Sequence, residues 1–161
     1  MKNVLKILFI CHGNICRSPM AEFVFKDIVK REGLEDRFHI ESAATHTDQI
    51  WDGVGDPVYP PARKELARHG IGCEGKRARL LNKNDYEKFD YLIGMDEANI
   101  KNILRITGRK SSNKVSLLLK YAGENRNISD PWYTGDFEAT WDDVKKGCEA
   151  LFEYFRSEGK I

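Results

Sequence analysis

Cys11 and Arg17 enclose five residues in the segment Cys11-His12-Gly13-Asn14-Ile15-Cys16-Arg17-Ser18. A loop of this length can curl so that several backbone N–H groups point at one centre and form a nest for an anion. A helix starting at its end adds the positive pole of its dipole. Gly13 and Asn14 tolerate the left-handed backbone that such a curl uses. Arg17 carries a planar fork of donors that grips two oxygens of a tetrahedral oxyanion. A helix N-terminus and a neighbouring cation both favour thiolate, so Cys11 is predicted to be a nucleophile. A thiolate facing a bound phosphoryl group is placed for in-line attack at phosphorus.

The segment sits between two elements that would position it. Val4–Ile10 is a short apolar run, consistent with a strand buried on both faces. Ser18-Pro19 reads as the N-cap and first position of a helix that Gly33 ends. Further strands are predicted at 38–43, 91–95 and 114–117, and shorter helices at 62–68 and 96–104. Residues 45–61 and 129–135 read as loops. The last helix runs over 137–156, with Trp141, Val144, Cys148, Leu151, Phe152 and Phe155 recurring every three or four residues. Alternating strands and helices predict an α/β fold of three layers, helices on both faces of a four-stranded parallel sheet. Ligands of such sheets bind beyond the carboxyl ends of the strands, which points to the loop after strand one.

Composition narrows the function classes. The 161 residues fit one domain, 1–161. A formal charge of +1, with no asymmetry between halves, argues against a nucleic-acid partner. No stretch reaches the roughly 18 apolar residues of a membrane span. Four cysteines are too few for a disulfide scaffold, and they predict a cytoplasmic protein with reduced thiols. Cys11 and Cys16 lack a second ligand pair at zinc spacing, and the four histidines are scattered, so neither metal nor cofactor is expected. Cys73 and Cys148 read as structural.

The run Cys11 to Pro19, C-H-G-N-I-C-R-S-P, resembles the active-site loop of the low-molecular-weight protein tyrosine phosphatases. The resemblance continues through Ser42-Ala43-Ala44, Lys76-Arg77-Ala78-Arg79, Phe89-Asp90-Tyr91, Met95-Asp96-Glu97 and Asp130-Pro131, in the expected order. It implies hydrolysis of phosphotyrosine and aryl phosphate esters through a cysteinyl-phosphate intermediate. Cys11 would attack, and Arg17 with the backbone of His12, Gly13, Asn14, Ile15 and Cys16 would hold the phosphoryl group. Asp130 would protonate the leaving oxygen and then deprotonate water, its backbone kept extended by Pro131. Ser18 would stabilise the Cys11 thiolate as leaving group, and Asn14 would brace the loop with Ser42 as neighbour. A Cys11–Cys16 disulfide would be a reversible switch. Trp51, Trp132 and Tyr133 would wall the slot for the tyrosine ring. The implied partners are a tyrosine-phosphorylated protein and phosphate or other oxyanions, acted on by a monomer or weak dimer.

Three departures stand out. Trp132 stands first after Asp-Pro, where many members have a tyrosine; Tyr59-Pro60-Pro61 replaces Asp-Pro-Arg; and Lys76 replaces a histidine before Arg-Ala-Arg. A charged lysine accepts no hydrogen bond, so the network behind Asn14 is expected to be rewired. Rival readings are an arsenate reductase, a protein arginine phosphatase and a phosphocysteine carrier. The first needs further paired cysteines, the second has a threonine where Ile15 stands, and the third has no use for Asp130.

Overall fold

The computed structural model describes residues 3–161; Met1 and Lys2 lie outside the described residues. In chain order the elements are β1 (Leu5–Cys11), α1 (Arg17–Arg31), β2 (Phe38–Ala44), β3 (Ile50–Trp51), β4 (Val54–Gly55), α2 (Pro60–Arg68), α3 (Asp85–Lys88), β5 (Tyr91–Gly94), α4 (Glu97–Thr107), β6 (Val115–Leu117), α5 (Pro131–Thr134) and α6 (Phe137–Ser157). Strands β2, β1, β5 and β6 lie side by side in that order, all parallel. Helices cover both faces, giving the three-layer arrangement that the alternation predicts.

The apolar run Ile7–Cys11, which follows Lys6 in β1, comes from this placement. Ile7, Phe9 and Cys11 face a core shared with α1, α2 and α6. Leu8 and Ile10 face a smaller core containing Phe89 and Ile103 of α4. A strand covered on both faces has no polar side to alternate with. Phe25 of α1 is the hub of the larger core, its ring 5.4 Å from Phe38, 5.9 Å from Phe9, 6.3 Å from Phe155 and 6.4 Å from Phe152.

Three local expectations are corrected. Ser18 is not the N-cap of α1: the helix begins at Arg17 behind Cys16, and Cys16 makes no capping hydrogen bond. The N–H of Ser18 instead points at Cys11 Sγ, 3.4 Å away, so the sulfur takes a donor that a capping hydroxyl would otherwise satisfy. Residues 45–61 are not a bare loop. Trp51 and Val54 pair across Asp52-Gly53, both at positive φ (48° and 77°), the backbone of a type I′ hairpin turn. Asp130 likewise caps the single turn α5, accepting from Trp132 N at 3.0 Å, with Pro131 at the first position.

The chain leaves β1 towards β2 on one side, while β5 pairs with β1 on the other. This switch in strand order opens a crevice at the carboxyl ends of β1 and β5. The 11–17 loop and Asp96, which follows β5, meet there. Asp96 caps α4 in a reciprocal box with Asn99: its side chain accepts from Asn99 N at 2.8 Å, and Asn99 Oδ1 accepts from Asp96 N at 3.1 Å. Among the described residues no helix is long and apolar enough to cross a membrane.

Candidate active site

β1 ends on Cys11 and α1 starts on Arg17, so the intervening loop must reverse within five residues. Asn14 supplies the left-handed turn, at φ +59°. Gly13 does not, contrary to expectation; there glycine provides room, since a Cβ would lie 3.2 Å from Gln49 Cγ. The curl aims Asn14 N (3.3 Å), Ser18 N (3.4 Å) and the Ser18 hydroxyl (3.0 Å) at Cys11 Sγ. Donors converging on one sulfur suit it to carry negative charge.

The hydrogen bonds behind the loop have a fixed direction. Asn14 Oδ1 accepts from Arg79 N at 3.2 Å, which turns its amide nitrogen the other way. Asn14 Nδ2 donates to Ser18 Oγ at 2.7 Å and to Ser42 Oγ at 2.9 Å. Ser42 in turn donates to Glu22 Oε1 at 2.6 Å. With a Ser18 lone pair engaged by Asn14, the Ser18 hydrogen is left for Cys11 Sγ. Lys76 joins at the far end, donating to the Ser42 carbonyl at 2.8 Å and lying 3.6 Å from Glu22 Oε1. Burial pushes the Lys76 ammonium below its ordinary range, and Glu22 opposes that. The departure at position 76 therefore reaches Ser42 and Glu22, one step removed from Asn14.

Arg17 lies buried beside the sulfur. Its Nη1 donates to Asp96 Oδ2 at 2.7 Å and to the Ile128 carbonyl at 2.9 Å; its Nη2 lies 3.4 Å from Asp130 Oδ2. Burial disfavours its charge, but Cys11, Asp96 and Asp130 outweigh this and hold it more firmly protonated than usual. One oxygen of Asp130 caps α5 and the other approaches Arg17, so the carboxylate is aimed from two sides. Cys16 behaves oppositely to a nucleophile: burial, then the charges of Cys11 and Asp130, push its thiol far up. Cys148 is fully buried in the core and Cys73 is also buried, in accord with structural thiols.

These groups line a pocket of about 200 Å³ bounded by Cys11, His12, Gly13, Ile15, Cys16, Arg17, Asp48, Gln49, Asp130, Trp132 and Tyr133. Asn14 and Ser18 sit behind it, their side chains turned into the network. Ser42 is there too, as expected. Trp51 is not brought to the pocket. It sits on the β3–β4 hairpin, 66% exposed, with its indole N–H on Asp56 at 3.4 Å. The hairpin turn carries it outward, and Asp48 and Gln49 take that wall instead. His12 stands on the rim, 2.6 Å from Asp48 and stacked on His46 at 4.1 Å between ring centroids.

Sequence reasoning missed Asp96 as the partner of Arg17; it stood out only as the start of a helix and as part of the Met95-Asp96-Glu97 segment of the resemblance. It also missed Asp48, Gln49 and the Glu22 carboxylate, which carry no local signature.

Comparison with known proteins agrees with this geometry. A family model described as "Low molecular weight phosphotyrosine protein phosphatase" matches residues 6–160. The low molecular weight protein-tyrosine-phosphatase YfkJ of Bacillus subtilis is 36% identical over 160 residues, covering 98% of this chain and all of that one. Its crystal structure superposes with a TM-score of 0.91, covering 97% of each chain at 35% identity. The low molecular weight phosphotyrosine protein phosphatase of Schizosaccharomyces pombe is 41% identical over 138 residues, 84% of this chain and 85% of its relative. A Drosophila arginine phosphatase shares the fold at a TM-score of 0.83 and 28% identity, over 94% and 98% of the two chains. On a match that spans nearly its whole length, the chain belongs to the low molecular weight phosphotyrosine protein phosphatase family.

Proposed function

We propose that this protein is a protein tyrosine phosphatase that hydrolyses phosphotyrosine and related aryl phosphate monoesters through a phosphocysteine. The observation that carries the reading is the convergence of Asn14 N, Ser18 N and Ser18 Oγ on Cys11 Sγ beside the buried Arg17. In the first step Cys11 Sγ bonds to phosphorus as the P–O(aryl) bond breaks. Arg17 and the loop N–H groups carry the charge on the equatorial oxygens. Asp130 gives its proton to the departing phenol oxygen. In the second step water attacks phosphorus, Asp130 takes its proton, and the S–P bond breaks. The Ser18 hydroxyl donates to the leaving thiolate. Inorganic phosphate is released and Cys11 and Asp130 return to their starting states.

The mechanism places every charge on a protein donor and needs no metal or cofactor. It also needs a reduced Cys11, which suits the cytoplasm. Tyrosine-phosphorylated proteins are the substrate class, because Ile15, Trp132 and Tyr133 line the same pocket as Cys11 and Arg17. Phosphoarginine is the second reading, from the likeness to the Drosophila enzyme. Ile15 speaks against it, offering an apolar wall to a group that carries several N–H donors.

Hydrolysis of an aryl phosphate in excess chelator tests the reading. Turnover that persists with chelator and is absent in Cys11→Ser is expected. A folded wild-type protein without turnover would overturn it.

A further inference from the structure

Of Trp132 and Tyr133, the two large aromatic side chains that line the pocket, only Trp132 is held by a second ring among the described residues. Tyr133 is 84% exposed. Trp132 packs against Tyr59, with centroids 4.8 Å apart and planes at 51°. Tyr59 packs in turn on Phe137, the first residue of α6, at 6.0 Å. Tyr59 does not line the pocket. Its backbone N–H nevertheless donates to the Ile15 carbonyl of the anion loop at 2.9 Å, and its own carbonyl accepts from Arg63 N as α2 begins. One residue therefore ties the seat of the phosphoryl group to the wall of the slot.

We propose that Tyr59 is a positioning residue that sets the Trp132 wall at a fixed height above the phosphate seat, and so selects flat aryl phosphates over aliphatic ones. The proposal rests on the phosphatase reading and deepens it by naming what fixes the substrate class. Physically, an indole on a one-turn helix has little to hold it. α5 spans only Pro131–Thr134, and Trp132 itself is half exposed. A tilted aromatic neighbour removes its freedom to swing away, so binding a substrate ring does not have to order it. Phe137 prevents Tyr59 from following. Pro60 and Pro61 stiffen the backbone just after Tyr59, where α2 starts. The effect belongs to ring binding, so it separates from the chemistry at Cys11.

The test is steady-state kinetics of Tyr59→Ala, Tyr59→Phe and Trp132→Ala on an aryl phosphate, with inorganic phosphate as competing inhibitor. In Tyr59→Ala the KM for the aryl ester rises about three- to tenfold, the range of one aromatic pair. Its kcat and the inhibition constant for inorganic phosphate stay as in the wild type. Tyr59→Phe keeps the ring and restores KM. The double variant Tyr59→Ala/Trp132→Ala is no worse than Trp132→Ala alone, because both act through one wall. An unchanged KM in Tyr59→Ala overturns the proposal. So does an equal weakening of aryl ester and inorganic phosphate, which would put Tyr59's role in the loop. If Tyr59→Ala does not fold, Tyr59→Leu carries the same comparison. Failure of the phosphatase reading is distinct, since then the wild type itself does not turn over.

Discussion

Behind Cys11 the polar side chains are buried and bonded in a series in which Asn14 donates both ways, through Ser42 to Glu22 and through Ser18 to the sulfur. Around the mouth, Trp132 is half exposed, Tyr133 almost fully so, and the hairpin that carries Trp51 stands out from the pocket. The two regions meet at one pocket but are built differently. The inner one is over-determined: each side chain has a partner on another element, so moving one disturbs several. The outer one rests on an aromatic contact and a one-turn helix. Chemistry that tolerates no displacement of the reacting atoms needs the first kind of construction. Recognition of a ring accepts the second. Substitutions in the inner region should therefore change kcat, and those in the outer region KM.

The strongest way to break that division is at Asp130, which belongs to both regions by caging Arg17 and capping α5. Asp130→Ala should slow esters with poor leaving groups by about 10²–10⁴-fold and those with good leaving groups far less. Equal slowing, measured across a series of aryl phosphates, would contradict the acid role. Ser18→Ala removes only the hydroxyl. A hydrogen bond to a charged group is worth about 1.5–3 kcal/mol, so kcat should fall about 10- to 100-fold with KM little changed. A rise in KM alone, in the same steady-state assay, would place Ser18 in binding.

A smaller effect concerns acid stability of the inner region. Glu41 on β2 pairs with Arg79, whose backbone N–H holds Asn14. Burial works against its charge, but His39, Arg79 and Lys88 outweigh that and hold Glu41 at about 2. Its folded value lies below the unfolded one of about 4.3, so its stabilising contribution is complete above that pH and is lost as pH falls towards 2. Glu41→Gln should flatten the decline of thermal stability across that window. Melting curves against pH check this, and an unchanged slope would contradict it. The smallest effect is expected at Trp51. Trp51→Ala should leave kcat and KM for a small aryl phosphate within about twofold, as for exposed side chains generally. A large KM increase would return Trp51 to the slot.

The inner region was the more legible of the two in the sequence. The spacing of Cys11 and Arg17, the apolar run that closes β1 after Lys6 and the Ser18 hydroxyl all carry local signals, and Asp130-Pro131 carries the family's. What escaped was long-range. Asp96 stands 79 residues from its partner Arg17, and neither its place at a helix start nor the Met95-Asp96-Glu97 resemblance says what it pairs with. Glu22 is one of two acids on α1, with nothing to single it out until folding turns it towards Ser42. The Asp52-Gly53 turn was visible as a dipeptide, yet the hairpin it closes has only two residues a side, too short for an alternating pattern. Trp51 was placed by resemblance, and the direction of that hairpin decided otherwise.

In the proposed mechanism the phosphoryl group passes through Cys11. Rapid quenching of Asp130→Ala with an aryl phosphate of good leaving group, followed by peptide mass analysis, tests it most directly. A phosphate adduct is expected on the peptide containing Cys11, formed before steady-state release of phosphate and absent in Cys11→Ser. Steady hydrolysis with no covalent adduct, or with turnover retained in Cys11→Ser, would contradict it.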